Sequence, residues 1–249
     1  MVDKSSLSWK RQAVRRLLDE RSAADAMAAY YALYHPDERT RLFTREDAKG
    51  RTDAYVAVSR TGIDLFRPLL TMRLDNDDPE GAADLIYQAL SPGANVFIHS
   101  PLAYRPLLAA LFEIKMEQHL QLYELSEDRF RPVVNVLVML SATPDGLPRY
   151  IIRPTNAESD HEIGASATLN WQSPHFAEVT VYTNPQYRQR GWGRSVVSAL
   201  AQDLLQSGKR ALYEVAPQNE ASLNLAQALG FVYSGDDKIF LEARLRSRP

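Results

Sequence analysis

The 249-residue chain contains no cysteine. That removes disulfides, thiolate metal ligands and a cysteine nucleophile from consideration. It has no excess of either charge: 29 Lys and Arg stand against 31 Asp and Glu, a net charge of -2. The basic signature of a nucleic-acid binder is absent, and no nucleic-acid partner is expected. No hydrophobic run approaches the roughly 20 residues of a membrane-spanning helix. The polar start Met1-Val2-Asp3-Lys4-Ser5-Ser6 lacks the apolar core of a signal peptide. A soluble, cytoplasmic protein with no membrane partner is the expectation. The five histidines (His35, His99, His119, His161 and His175) are scattered, with no H-E-x-x-H pattern, so no metal is expected. There is also no G-x-S-x-G elbow and no G-x-x-x-x-G-K-S/T loop, so hydrolase and P-loop readings have no support.

What is present suffices for a core: 45% of residues are hydrophobic, and the length allows one large domain or two small ones. The polar stretch Ser126–Pro132 ends in proline and reads as a boundary. It divides the chain into residues 1–130 and 131–249. In the first part, Ser8–Leu33 has the apolar spacing of one or two amphipathic helices ending before His35-Pro36. Asp53–Ser59 alternates as a strand, Thr61-Gly62 is a tight turn, and Ile63–Leu74 reads as a second strand bent at Pro68. Asp77-Asp78-Pro79 caps a helix running to Leu90, and Asp75–Asp78 is only a fragment of a calcium-loop pattern. Ser91-Pro92-Gly93 breaks that helix. A strand at Asn95–Ile98, a helix from Pro101 to Leu111 and a strand at Gln118–Leu125 follow. This order resembles that of the second part, and a decayed second copy of one fold is one reading of it. An unrelated α/β partner domain is the other.

In the second part Val133–Leu140 and Arg149–Arg153 read as strands around the turn cluster Thr143–Pro148, and Thr155–His161 reads as a loop. Glu162–Trp171 pairs with Phe176–Thr183 across Gln172–His175. The next stretch is Tyr187-Arg188-Gln189-Arg190-Gly191-Trp192-Gly193-Arg194. It lies between that strand and a helix over Ser195–Gln206. A helix N-terminus offers unpaired N–H groups and the positive end of a dipole. Gly191 and Gly193 allow close backbone approach, and Arg188, Arg190 and Arg194 add charge. The stretch is built for an anion. A strand at Ala211–Ala216 follows. Asn219 is placed to cap a second helix, Gly230 to end it, and Lys238–Leu245 reads as the closing strand.

Arg188–Gly193 has the form R-x-x-G-x-G. With Asn219-Glu220-Ala221-Ser222 and Leu229-Gly230-Phe231 it resembles the acyl-CoA-binding signature of the GNAT N-acetyltransferase superfamily. The resemblance covers about 70 residues from Phe176. It implies an α/β protein with a mixed sheet, either a single GNAT domain with an added N-terminal domain or a tandem with a degenerate first copy. It further implies transfer of an acetyl group from acetyl-CoA directly to a primary amine of a small molecule or peptide in a ternary complex. By the same resemblance Val181 and Thr183 offer backbone groups to pantetheine, and Arg188, Gln189, Arg190, Gly191, Trp192, Gly193 and Arg194 hold the pyrophosphate. Asn219 and Ser222 lie near the CoA arm. Glu178, in the stretch Phe176-Ala177-Glu178-Val179, resembles the catalytic glutamate of some histone acetyltransferases, and a glutamate flanked by apolar residues suits a general base. Glu214 is a candidate contact for the acceptor amine. The family's usual acid, a helix tyrosine four residues before the glycine of L-G-F, is replaced by Ala226. Tyr182, Tyr213 and Tyr233 are the alternatives. The missing tyrosine keeps a second reading open, an acyl-CoA-binding regulatory protein whose catalysis has lapsed. The acceptor and the oligomeric state stay open, a homodimer included.

Overall fold

A computed structural model of the chain describes residues 4–133, 135–144, 146–155 and 162–248. The expected loop Thr155–His161 lies, beyond Thr155, outside the described residues. The chain forms two compact units, Met1–Leu120 with Asp236–Pro249, and Gln121–Gly235.

The first unit opens with α1 (Leu7–Arg15), capped by Ser6, whose side chain accepts from Trp9 N. α2 (Ala26–Ala29) continues into a π-helical turn over Tyr30–Tyr34. Strands β1 (Thr40–Glu46), β2 (Thr52–Ser59) and β3 (Leu69–Arg73) form an antiparallel trio. Then come α3 (Pro79–Ala89), β4 (Asn95–Pro101), α4 (Arg105–Leu111) and the long β5 (Phe112–Leu125). β3 and β4 are parallel, as a strand–helix–strand connection requires.

The second unit repeats that plan. β6 (Met139–Ala142), β7 (Pro148–Ile152), β8 (Ala165–Gln172) and β9 (Phe176–Thr183) form antiparallel pairs. After them come α5 (Trp192–Gln206), β10 (Arg210–Val215) parallel to β9, α6 (Glu220–Leu229) and the long β11 (Phe231–Leu245). Val196, Val197, Leu200, Ala201 and Leu204 give α5 one fully buried face against Ala177 and Val179 of β9 and Ala211 of β10. Each such large side chain contributes roughly 1.5–3 kcal/mol of burial. Gly230 ends α6 at φ 98°, where a Cβ would stand 2.4 Å from the Arg129 carbonyl oxygen.

One strand was not expected, and three expectations are corrected. Thr40–Glu46 is a strand although its charges hid it. Ile63, Leu65 and Phe66 are not in a strand: Asp64 accepts from Phe66 N and Arg67 N and turns the chain, leaving all three at least 80% exposed. The apolar run Val133–Leu140 yields a strand only from Met139 onward, with Val133, Val136 and Val138 packed half-buried on the second unit's core. The last correction concerns Lys238–Leu245, expected to close the C-terminal domain. Lys238–Arg244 instead pair with β4 in the first unit, and the strand beside β10 is Gln121–Glu124 of β5. Alternation shows that Ile239, Leu241, Ala243 and Leu245 are buried on one face. It does not show that they join Val96 and Ile98 in the first unit's core.

Candidate functional site

β9 and β10 hold together over only three register pairs, Arg210↔Phe176, Ala211↔Ala177 and Leu212↔Glu178. Past that point β9 pairs on its other side with β8, as in Val181↔Ala167 and Thr183↔Ala165, and β10 pairs with β5, as in Tyr213↔Tyr123. The two strands part, and the facing backbone of Val179–Thr183 is left free of a ladder partner on the β10 side. This is the splay that the resemblance implied, and Glu178 stands at its fork.

Beyond the fork a cleft of about 750 Å³ opens between the end of β9, the basic loop and the start of α6. Val181 and Thr183 line it, with Arg188, Gln189, Gly191, Trp192, Gly193 and Arg194 from the loop and Asn219 and Ser222 from α6. Eleven candidate cofactor-binding residues were named from the sequence, and ten of them meet here. Arg190 does not line the cleft. Its guanidinium sits 5.3 Å from the Tyr187 ring centroid and 5.7 Å from that of Trp192.

The loop's shape follows from its residues. Gln189 has φ 63° and Gly191 φ 77°, so the chain bends through the left-handed region twice before the helix starts. Gly191 is the N-cap of α5 and no side chain caps that helix, which leaves the first N–H groups available. At Gly193 a Cβ would approach Thr183 Oγ1 to 2.9 Å and Leu225 Cδ1 to 3.3 Å. Only glycine lets the helix start this close to β9. Trp192 stacks on Tyr187 with centroids 5.0 Å apart and planes at 20°, and Tyr187 Oη donates to Glu162 Oε1 at 2.8 Å. The Trp192 ring lies on the backbone of Gly164, where a Cβ would clash at 2.3 Å. The stack thus clamps the loop to the chain just before β8. Ser195, one turn into α5, donates to Asn135 Oδ1 at 2.5 Å.

Glu178 is 6% exposed and does not line the cleft. Its environment comes from a bulge in β8. Register shifts between Leu169 and Trp171, so Asn170 is the extra residue. Asn170 Nδ2 donates to Oε1 of Glu178 at 3.1 Å, and Trp171 Nε1 donates to Oε2. Burial raises the carboxyl pKa to about 8, and the negative charge of Glu214 adds to the rise; the two donors only partly offset them. Sequence reasoning missed Asn170 and Trp171. The only signal was the loose alternation of Glu162–Trp171, because a bulge breaks the period that strand reading relies on. Asn224 and Leu225 of the cleft were missed as well, and Tyr187 was named in the basic stretch without a role.

Among the tyrosines, Tyr182 lines the cleft and is 54% exposed, and Tyr233 is 39% exposed with its ring 5.7 Å from Tyr123. Tyr213 is 7% exposed, and burial raises its pKa above the usual value. Glu214 is half-buried on β10, on the face of Leu212. Among the described residues no group of three or more His, Asp and Glu side chains could hold a metal ion. None of their helices is long and apolar enough to cross a membrane.

Strands that part in front of a basic, uncapped helix start are the layout of the GNAT acyltransferases, and the chain has that fold. A family model described as FR47-like protein matches residues 167–240. The L-amino acid N-acyltransferase MnaT of Escherichia coli (strain K12) is 39% identical over 74 residues, 28% of this chain. The match spans 43% of the length of that curated relative. A putative GNAT-family acetyltransferase from Novosphingobium aromaticivorans has TM-score 0.56 and 15% identity, covering 77% of this chain and 89% of that one. A tandem GNAT protein from the clavulanic acid biosynthesis pathway has TM-score 0.59 and 13% identity, covering 99% of this chain and 97% of that one. At such identities the likeness to the solved structures is one of fold. It extends over both units, and it agrees with the repeated element order.

Proposed function

We propose that the chain is an acetyltransferase that binds acetyl-CoA in the second unit and transfers its acetyl group directly to a primary amine. The observation that carries this reading is the cleft at the splay, where ten residues expected to hold CoA line one surface. The pyrophosphate is assigned to the N–H groups at the start of α5, with Arg188 and Arg194 supplying charge. The free edge of Val181 and Thr183 is assigned to pantetheine. Glu178, at the fork, is the base that takes a proton from the acceptor amine, directly or through one water. Its raised pKa suits that task, because a carboxylate near neutrality both accepts and gives up a proton within a turnover. The name of the Escherichia coli relative supports an amine acceptor.

The test is calorimetric titration with acetyl-CoA of the parent and of an Arg188→Ala, Gly193→Asp double variant, followed by an acceptor panel of amino acids, polyamines and aminoglycosides. Micromolar binding that the variant loses, with turnover of one acceptor class, is the expected result. A parent that fails to bind would remove the reading. Binding without turnover of any acceptor would favour the alternative, a CoA-binding regulatory protein whose catalysis has lapsed. The presence of Ala226 in place of a helix tyrosine is the feature that keeps this alternative in play.

A further inference from the structure

An anion loop works only if its N–H groups are held in one direction, and no side chain of its own restrains Gly191, at φ 77°. A peptide unit is planar and trans, so the Gly191 carbonyl and the Trp192 N–H point opposite ways. Whatever fixes that carbonyl therefore aims that N–H. The carbonyl accepts from Ser195 N at 3.1 Å, the first bond of α5, and Ser195 Oγ lies 3.1 Å from it as well. Ser195 and Ser198 bring the only hydroxyls among the buried residues of α5. A buried hydroxyl without a partner is costly, and both find theirs on the segment that precedes β6. Val133 N donates to Ser198 Oγ at 2.8 Å, and Ser195 Oγ meets Asn135 Oδ1 at 2.5 Å. Val133, Val136 and Val138, half-buried on the unit's core, seat the segment. Asn135 is itself exposed, and its Nδ2 stands 3.3 Å from where a Cβ on Gly191 would be. Core packing does not call for an amide at an exposed position. The contacts of this one with Ser195 and Gly191 both lie at the start of α5.

We infer that Asn135 is a positioning residue for the anion loop: through Ser195 it fixes the Gly191 carbonyl and so keeps the Trp192 N–H aimed at the bound anion. This rests on the acetyl-CoA site proposed above. The single proton of the Ser195 hydroxyl serves both oxygens as a three-centre bond, which ties the amide and the carbonyl to one point. The stack on Tyr187 holds the Trp192 ring, and Asn135 holds the peptide before it. Asn135 does not line the cleft, so it acts on the ligand only through the loop. Its effect belongs to cofactor binding, because the loop holds the pyrophosphate and not the reacting thioester.

The experiment measures acetyl-CoA affinity by calorimetry, kcat at saturating acetyl-CoA with the acceptor found by the panel above, and Tm. It compares the parent with Asn135→Ala, Ser195→Ala, their double variant and Ser198→Ala. One hydrogen bond is at stake, so Asn135→Ala is expected to weaken acetyl-CoA binding by roughly three- to tenfold. In the same variant kcat should stay within about twofold. The double variant should bind no more weakly than Ser195→Ala alone, because both residues act through one contact. Ser198→Ala unties the same segment away from the loop, so it should lower Tm and leave affinity within about twofold. Unchanged affinity in Asn135→Ala overturns the inference. So does an equal loss of affinity in Ser198→Ala, which would mean that seating the segment, and not Asn135, is what matters. Losses that multiply in the double variant, or a kcat that falls in step with affinity, overturn it too. If no acceptor is turned over, the affinity measurements alone decide. A parent that binds no acetyl-CoA overturns the acetyl-CoA site and this inference together. A parent that binds beside an Asn135→Ala that binds equally well overturns the inference alone.

Discussion

Two strand–loop–helix segments of this chain share a layout and oppose each other in chemistry. In the second unit β9 runs through three arginines and two glycines into α5, whose start has no side-chain cap. In the first unit β3 runs through Asp75-Asn76-Asp77-Asp78 into α3. There Asp78 Oδ1 accepts from Gly81 N at 2.9 Å, which occupies the helix start. Arg45 locks it in place, bonding Asp78 at 2.6 Å, Asp53 at 2.9 Å and Asp75 at 3.3 Å. A Cβ on Gly81 would lie 2.3 Å from both Arg45 Nη1 and Asp78 Oδ2, so the space before α3 is filled by the protein itself. A phosphate would find free N–H groups and positive charge at α5, and satisfied groups amid carboxylates at α3. Layout therefore does not make an anion site. The sign of the loop's charge and the absence of a cap do.

The sharpest way to break this contrast is Gly193→Asp, which puts a side chain where Thr183 and Leu225 stand and a negative charge against the pyrophosphate proposed to bind there. Acetyl-CoA binding should fall by more than about 100-fold by calorimetry, since a clash and a repulsion act together. The parent should bind about one equivalent per chain; two equivalent sites would end the distinction between the loops. Next is Glu178→Gln, expected to lower kcat by about 10²-fold or more while sparing acetyl-CoA affinity. As the proposed base, Glu178 must be deprotonated, so kcat/KM of the parent should rise with pH through about 8, and the variant should lack that limb. Stability runs the other way. The folded carboxyl keeps a proton that the unfolded one gives up near 4.5, so parent stability should fall from about pH 4.5 to about pH 8. Glu178→Gln should therefore raise Tm more at pH 9 than at pH 5. A smaller effect belongs to the first unit. Arg45→Ala leaves three carboxylates without their shared partner and should cost about 1–3 kcal/mol in denaturant unfolding, with acetyl-CoA affinity unchanged. Smallest is Asp78→Ala, a lost helix cap expected to cost about 1 kcal/mol. An effect of either first-unit variant on acetyl-CoA affinity would show that the two loops are not independent.

Both loops were legible because their signals are local. Caps, glycines and charges act within a few residues, and so do the 3.6- and 2-residue periods that marked α3, α5, β2 and β9. The same locality explains why Asn219 and Gly230 were placed correctly at the two ends of α6. What lay outside that range was not legible. Thr40–Glu46 gave no strand signal, since Leu42 is its one buried hydrophobic residue and its pairing with β2 is set across space. Ile63, Leu65 and Phe66 looked like a strand until the Asp64 side chain turned them out to solvent.

By itself, then, the sequence determined the order of most elements and the place of the basic loop before α5, because those depend on neighbours along the chain. It determined where Glu178 lies on its strand, but not what surrounds it. Tertiary structure decided that β5 pairs beside β10 and β11 beside β4, since two strands with similar buried faces can satisfy either partner. It decided where β9 and β10 part, and it turned Asn170 and Trp171 onto Glu178 through a one-residue bulge. Each of these depends on which groups meet across space, and no period along the chain records that.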